Sequence, residues 1–93
     1  YPSVRRDFAV VVDKAVTAAE VESVVRETLG EILVEFRLFD VYEGKGIDPK
    51  RKSLALGLTF RDQSRTLSDE LVNQAVQQVI DSLEKNYNAE LRG

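Results

Sequence analysis

Leu38-Phe39-Asp40-Val41-Tyr42-Glu43-Gly44 and Lys52-Ser53-Leu54-Ala55-Leu56-Gly57-Leu58 read as two strands that share one unusual face. Successive side chains of a strand point to opposite faces of its sheet. In the second segment Leu54, Leu56, Leu58 and Phe60 take the buried side, which leaves Ser53, Ala55, Gly57 and Thr59 on the other. In the first, Asp40 and Tyr42 alternate with Phe39 and Val41. The outward face thus carries a carboxylate, a phenol and a floor of small side chains. A glycine inside a strand often marks close approach by a backbone or a ligand. Such a surface suits an unstacked nucleobase better than it suits catalysis. A helix or neighbouring domain packed on the small residues would explain the floor equally well.

The first strand extends back to Ile32, and its phase changes midway. Val34, Phe36 and Leu38 alternate with Glu35 and Arg37 before Phe39 and Val41 take over. The shift predicts a β-bulge near Leu38 and Phe39, after which Asp40 and Tyr42 point away from the face of Phe39 and Val41. An error of one residue in this register would bury Asp40, which is costly for an unpaired carboxylate. Gly44-Lys45-Gly46-Ile47-Asp48-Pro49 is a turn-rich connection, and Ser53 to Phe60 is the returning strand.

Upstream, Arg5 to Val12 reads as a strand rich in β-branched residues, with Phe8, Val10 and Val12 on one side and Asp7, Ala9 and Val11 on the other. Both sides are fairly apolar, as expected of a central strand. Thr17-Ala18-Ala19-Glu20 matches a capping box. Val21, Val24, Val25 and Leu29 follow at helical spacing, and Gly30 can take the left-handed stop. Downstream, Ser68 can cap a long helix whose stripe is Val72, Ala75, Val76, Val79, Ile80 and Leu83. Asn86 and Asn88 are expected to interrupt it before a short final strand over Ala89 to Arg92. The order β-α-β-β-α-β predicts an α+β, ferredoxin-like fold: a four-stranded antiparallel sheet with two helices packed on one face and the other face open.

Ninety-three residues, 43% of them hydrophobic, suffice for a single domain over 1–93 with one core. Tyr1 at the start and the absence of Met suggest a piece excised from a longer chain. With no Cys and no His, a disulfide framework, a thiolate nucleophile and the commonest general base and transition-metal ligand are all missing. Asp69 with Glu70 make a poor acid/base or metal pair, because neighbouring helical residues do not converge on one point, and neither they nor Asp40 with Glu43 have a His, a Cys or a Gly-rich phosphate loop to complete a site. Independent catalysis is not expected. No run of about 18 apolar residues and no basic-then-apolar leader occurs, so neither a membrane partner nor secretion is expected and a cytoplasmic setting fits.

The net charge of -3 argues against a polyanionic partner until its distribution is considered. From Gly44 to Arg65 there are six cations, Lys45, Lys50, Arg51, Lys52, Arg61 and Arg65, against only Asp48 and Asp62. A solvated hairpin with ordinary surface charge accounts for this as simply as a phosphate-binding patch does.

Tyr1-Pro2 with Arg6-Asp7, Leu38-Phe39-Asp40-Val41-Tyr42 with Gly44, Lys52-Ser53-Leu54-Ala55, Arg65-Thr66-Leu67 with Asp69-Glu70, and Leu91-Arg92 together match a known pattern. In these residues the chain resembles the C-terminal ferredoxin-fold anticodon-binding domain of bacterial phenylalanyl-tRNA synthetase β subunits, over nearly its whole length. The resemblance implies a non-catalytic module that grips the anticodon stem-loop of phenylalanine tRNA. Its expected partners are that tRNA, the remainder of the β subunit and the catalytic α subunit. It also implies that Asp40, Tyr42 and Ser53, with Arg92, read a guanine at the first anticodon position. No cofactor is expected in this domain, and the ATP and magnesium of the parent ligase belong elsewhere. Lys45, Lys50, Arg51, Lys52, Arg61 and Arg65 are weaker candidates for phosphate contacts.

Each site residue also has a plainer reading. Asp40 can cap a turn, Tyr42 can cover the sheet edge, Ser53 can end the hairpin, and Arg92 can pair with an acid such as Asp7. The competing function is a ferredoxin-like protein-interaction or regulatory domain that uses the open sheet for dimer packing. Dimer packing predicts a dry apolar face, whereas RNA binding predicts Asp40, Tyr42 and Ser53 within reach of water.

Overall fold

Alternating apolar residues build the sheet, and two capped helices cover one side of it. The computed structural model describes residues 1–92. Strand β1 (Val4–Asp13) leads to helix α1 (Ala18–Leu29), a short 3-10 turn (Gly30–Ile32), strand β2 (Leu33–Tyr42), strand β3 (Arg51–Phe60), helix α2 (Asp69–Tyr87) and strand β4 (Glu90–Arg92). The strands lie in the order β2-β3-β1-β4, with antiparallel pairing throughout. This is the expected ferredoxin-like arrangement, with β1 inside the sheet.

The capping box predicted at Thr17 forms in full. Glu20 Oε1 accepts from the Thr17 amide at 3.0 Å, and Thr17 Oγ1 accepts from the Glu20 amide at 3.1 Å. Val21, Val24, Val25 and Leu29 are all buried, and Gly30 ends α1 at φ 59°, ψ -133°, outside the expected left-handed helical region but at a positive φ that glycine adopts freely. Ser68 Oγ accepts from the Leu71 amide at 3.2 Å to open α2, which buries Val72, Ala75, Val79 and Leu83. These residues meet Val10, Val12, Leu54, Leu56, Leu58 and Phe60 in one core. Asn86 does not interrupt α2 as expected. Its side-chain amide donates to the Ser82 carbonyl at 2.8 Å within the last turn, and Asn88 alone ends the helix, in the left-handed conformation. A polar side chain that satisfies itself on the preceding turn is compatible with a helix; a backbone turned to positive φ is not.

The β-bulge appears where the phase change placed it: Leu38 faces Leu56 and Asp40 faces Ala55, with Phe39 extra between them. A second register shift, between Leu33 and Glu35, was not anticipated. Among the described residues no helix is long and apolar enough to cross a membrane.

Candidate nucleic-acid interface

The register arranges the open face into rungs that run across the sheet. One rung is Asp40–Ala55–Ala9–Arg92, and the next is Tyr42–Ser53–Val11–Glu90. A third, Arg37–Gly57–Asp7, stops at β1. Asp40 and Arg92 are thus the two ends of a rung whose middle is two alanines. At about 4.8 Å between strands, roughly 14 Å separates their backbones.

Long side chains close part of that span. The Arg92 guanidinium lies 5.1 Å from the centroid of the Tyr42 ring, on the far edge of the sheet. The Tyr42 hydroxyl donates to the Lys45 carbonyl at 2.9 Å, tying the ring to the β2–β3 connection. That connection turns at Gly46, whose φ of 90° suits only glycine among common residues. Glu43, just past β2, pairs with Lys14 at 2.8 Å. The Lys14 hydrogen bond, and then its charge, hold the Glu43 carboxyl below the usual range.

Asp40 is exposed and Tyr42 is 36% exposed, so both reach solvent on the same face. Ser53 does not meet the expectation of a water-accessible hydroxyl: it is only 3% exposed. It lies in an inner strand between Tyr42 and Val11, where a small side chain is shielded by larger neighbours. The face is not the dry apolar one that dimer packing calls for, since Arg5, Asp7, Arg37, Asp40, Glu90 and Arg92 all lie on it.

Phe39 departs from its expected side. Its ring lies over Gly57, so close that a Cβ there would sit 2.5 Å from Cε2 and 2.9 Å from Asp7 Oδ1. The bulge explains the error: strict alternation fails at the extra residue, whose side chain swings toward the face of Asp40. The glycine did signal a close approach. The approaching group is the chain's own aromatic ring, and with it come Arg5 and Arg37, whose guanidinium carbons lie 4.8 Å and 5.6 Å from the ring centroid. The alternation pattern gave no hint of this trio, because its members come from two strands and a bulge.

The basic segment does not form one patch. Lys45, Lys50, Arg51 and Lys52 sit at one end of β3, and Arg61 and Arg65 lie beyond the other. Ten residues of strand separate the ends by about 33 Å. Arg51 is turned inward, with its side chain 13% exposed. It lies 3.2 Å from Asp13 and 3.3 Å from Glu90, and it donates to the Asn88 carbonyl at 2.6 Å. Its Nε faces Asp13 at ion-pair distance without hydrogen-bond alignment. Arg65 pairs with Asp62 at 3.2 Å, and Lys52 lies on the helix side, where its charge acts on Glu20 and Glu43. Lys45, Lys50 and Arg61 make no ion pair among the described residues. No cluster of three metal-ligating side chains is found among them either.

A family model for the ferredoxin-fold anticodon binding domain matches residues 1–92. The chain belongs to that family. This anticodon-binding domain is 55% identical over 92 residues to the phenylalanine–tRNA ligase β subunit of Pseudomonas fluorescens. It is 47% identical over 93 residues to that of Coxiella burnetii and 45% identical over 92 residues to that of Shewanella oneidensis. In each case the match covers 99% of this chain and 12% of the relative, so the domain spans about an eighth of the length of the proteins it resembles.

Proposed function

We propose that the domain grips the anticodon stem-loop of phenylalanine tRNA on its open sheet face, as a non-catalytic part of a phenylalanine–tRNA ligase β subunit. The observation that carries this reading is the placement of Asp40 and Tyr42. In a chain of the anticodon-binding family, a carboxylate and a phenol stand exposed side by side over a floor of small residues. An ionised carboxylate accepts two hydrogen bonds, which matches the N1 and N2 donors of guanine. The Tyr42 ring stacks a base, an interaction of roughly 1 to 3 kcal/mol, and a bidentate base contact discriminates by a similar ~1 to 3 kcal/mol.

Tyr42 accordingly supplies affinity and Asp40 identity. Arg92, already over the Tyr42 ring, adds a guanidinium plane on which a base also stacks. Ser53 lines the floor beside Tyr42, and direct contact with its hydroxyl requires the side chains above it to part. Lys45 and Lys50, at the hairpin end and without ion pairs among the described residues, meet phosphates in this reading. Aminoacylation itself, with its ATP and magnesium, is the work of the parent enzyme with its catalytic α subunit in the cytoplasm.

The test is aminoacylation by the intact ligase carrying Asp40→Ala or Tyr42→Ala, with cognate and anticodon-substituted tRNA. Loss of discrimination with amino-acid activation intact supports the roles. Unchanged preference for the correct anticodon in both variants removes them.

A further inference from the structure

The trio around Phe39 lies outside the Asp40–Tyr42 pair and has its own chemistry. Arg5 and Arg37 both place their guanidiniums over the Phe39 ring, at 4.8 Å and 5.6 Å. A cation held by a π face spends none of its N–H donors on the contact. Arg37 makes no ion pair or side-chain hydrogen bond among the described residues. Arg5 uses only its Nε, which donates to Asp7 Oδ1 at 3.0 Å. Phe39 is fixed beneath them by Gly57, where the absent Cβ leaves room for the ring. The outcome is two planar, donor-rich cations backed by one ring on an exposed surface.

Resting on the reading of the open face as an RNA surface, we propose that Arg5, Phe39 and Arg37 form a second RNA subsite that grips a phosphodiester of the strand bound at Asp40 and Tyr42. The ligand is an anion rather than a base, because cations already occupy the ring and their free donors form the fork that matches phosphate oxygens. Asp7, Asp40 and Glu35 surround the trio, so it acts by contact and not as a long-range attractor. Gly57 is four residues from Ser53 along β3, about 13 Å, a span that a few nucleotides of one strand cover. The two subsites therefore lie within reach of the same RNA strand.

The experiment uses the intact ligase with cognate and anticodon-substituted tRNA, comparing Arg37→Ala, Arg37→Lys and Phe39→Leu with Asp40→Asn. Arg37→Ala is expected to weaken binding of both tRNAs by the same factor, about tenfold. It should also make the log–log dependence of affinity on salt shallower by about 0.7, the share of one single-strand phosphate. Arg37→Lys and Phe39→Leu are expected to fall between in affinity, with the salt dependence of wild type, since each keeps the charge but loses the planar fork or its backing. Should Arg37→Ala disturb folding, Arg37→Gln, which removes the charge but keeps a long polar side chain, provides the same comparison. Unchanged affinity and salt dependence for Arg37→Ala, with Asp40→Asn still losing anticodon discrimination, overturns the subsite and leaves the anticodon reading standing. A loss confined to one anticodon also overturns it, because a phosphate contact carries no sequence information. Weakened subunit assembly with normal tRNA binding overturns it in favour of a protein contact. Absence of any effect in both Arg37→Ala and Asp40→Asn removes both readings.

Discussion

Arg92 and Tyr42 meet across the whole sheet: the guanidinium on the last strand lies 5.1 Å from the ring centroid on the opposite edge strand. Only a floor of small side chains lets two long ones converge above it. Ala9 and Ala55 fill the rung that Arg92 shares with Asp40. Replacing Ala55 with Leu is expected to separate the pair and to lower tRNA affinity at least as far as Arg92→Ala does in the same assay. Binding measurements on the intact enzyme, with the fold checked by circular dichroism, test this.

The Tyr42 hydroxyl can be separated from its ring. Tyr42→Phe removes the hydrogen bond to the Lys45 carbonyl, which is 2.9 Å long, and is expected to cost about 0.5 to 1.5 kcal/mol of stability. It keeps the stacking surface, so tRNA affinity should fall far less than with Tyr42→Ala. Chemical denaturation and tRNA binding, measured together, distinguish the two effects.

Arg51 is a positioning residue for β4. That strand has three residues, and Arg51 anchors it through Glu90 while also holding the Asn88 carbonyl at the end of α2. Arg51→Ala is expected to destabilise the domain by about 1.5 to 3 kcal/mol, the range for hydrogen bonds to charged groups. Amide exchange should accelerate first at Leu91 and Arg92. Because Arg92 would lose its support, Arg51→Ala combined with Arg92→Ala should bind tRNA no worse than Arg51→Ala alone.

Gly57 and Phe39 form a pair suited to a double-mutant cycle. Gly57→Ala places a methyl where the ring and Asp7 now sit, and an exposed ring can rotate away. The domain should fold with a loss of about 1 kcal/mol, and Phe39→Ala should cost little more in that background. Additive losses would show that the ring is not seated on Gly57.

Acidification should loosen three local ties. The Lys14 ammonium lowers the pKa of Glu43, the Thr17 amide that of Glu20, and the Ser64 amide that of Asp62. A carboxylate whose folded pKa lies below its unfolded one stabilises the fold above the unfolded value. That contribution fades as pH falls from about 4.5 for the glutamates, or 3.8 for Asp62, through the lowered folded values. The difference in thermal midpoint between wild type and Glu43→Gln is therefore expected to be constant near neutrality and to vanish on acidification through that window.

Much of this molecule follows from local rules. The capping residues Thr17 and Ser68, the apolar stripes of both helices and the alternation of Leu54 to Phe60 each stand in a short window of sequence. Together they determined the element order and the core. The shift of phase after Leu38 likewise located the bulge, because an inserted residue leaves its mark on a period of two. The tertiary structure alone decided which side chains meet on the open face. Phe39 over Gly57, Arg92 over Tyr42, the burial of Ser53 and the inward turn of Arg51 all join residues distant in sequence. Their contacts depend on strand order and cross-strand register, which a linear pattern does not contain. A bulge redirects its own side chain, and only the opposing strand shows where that side chain lands.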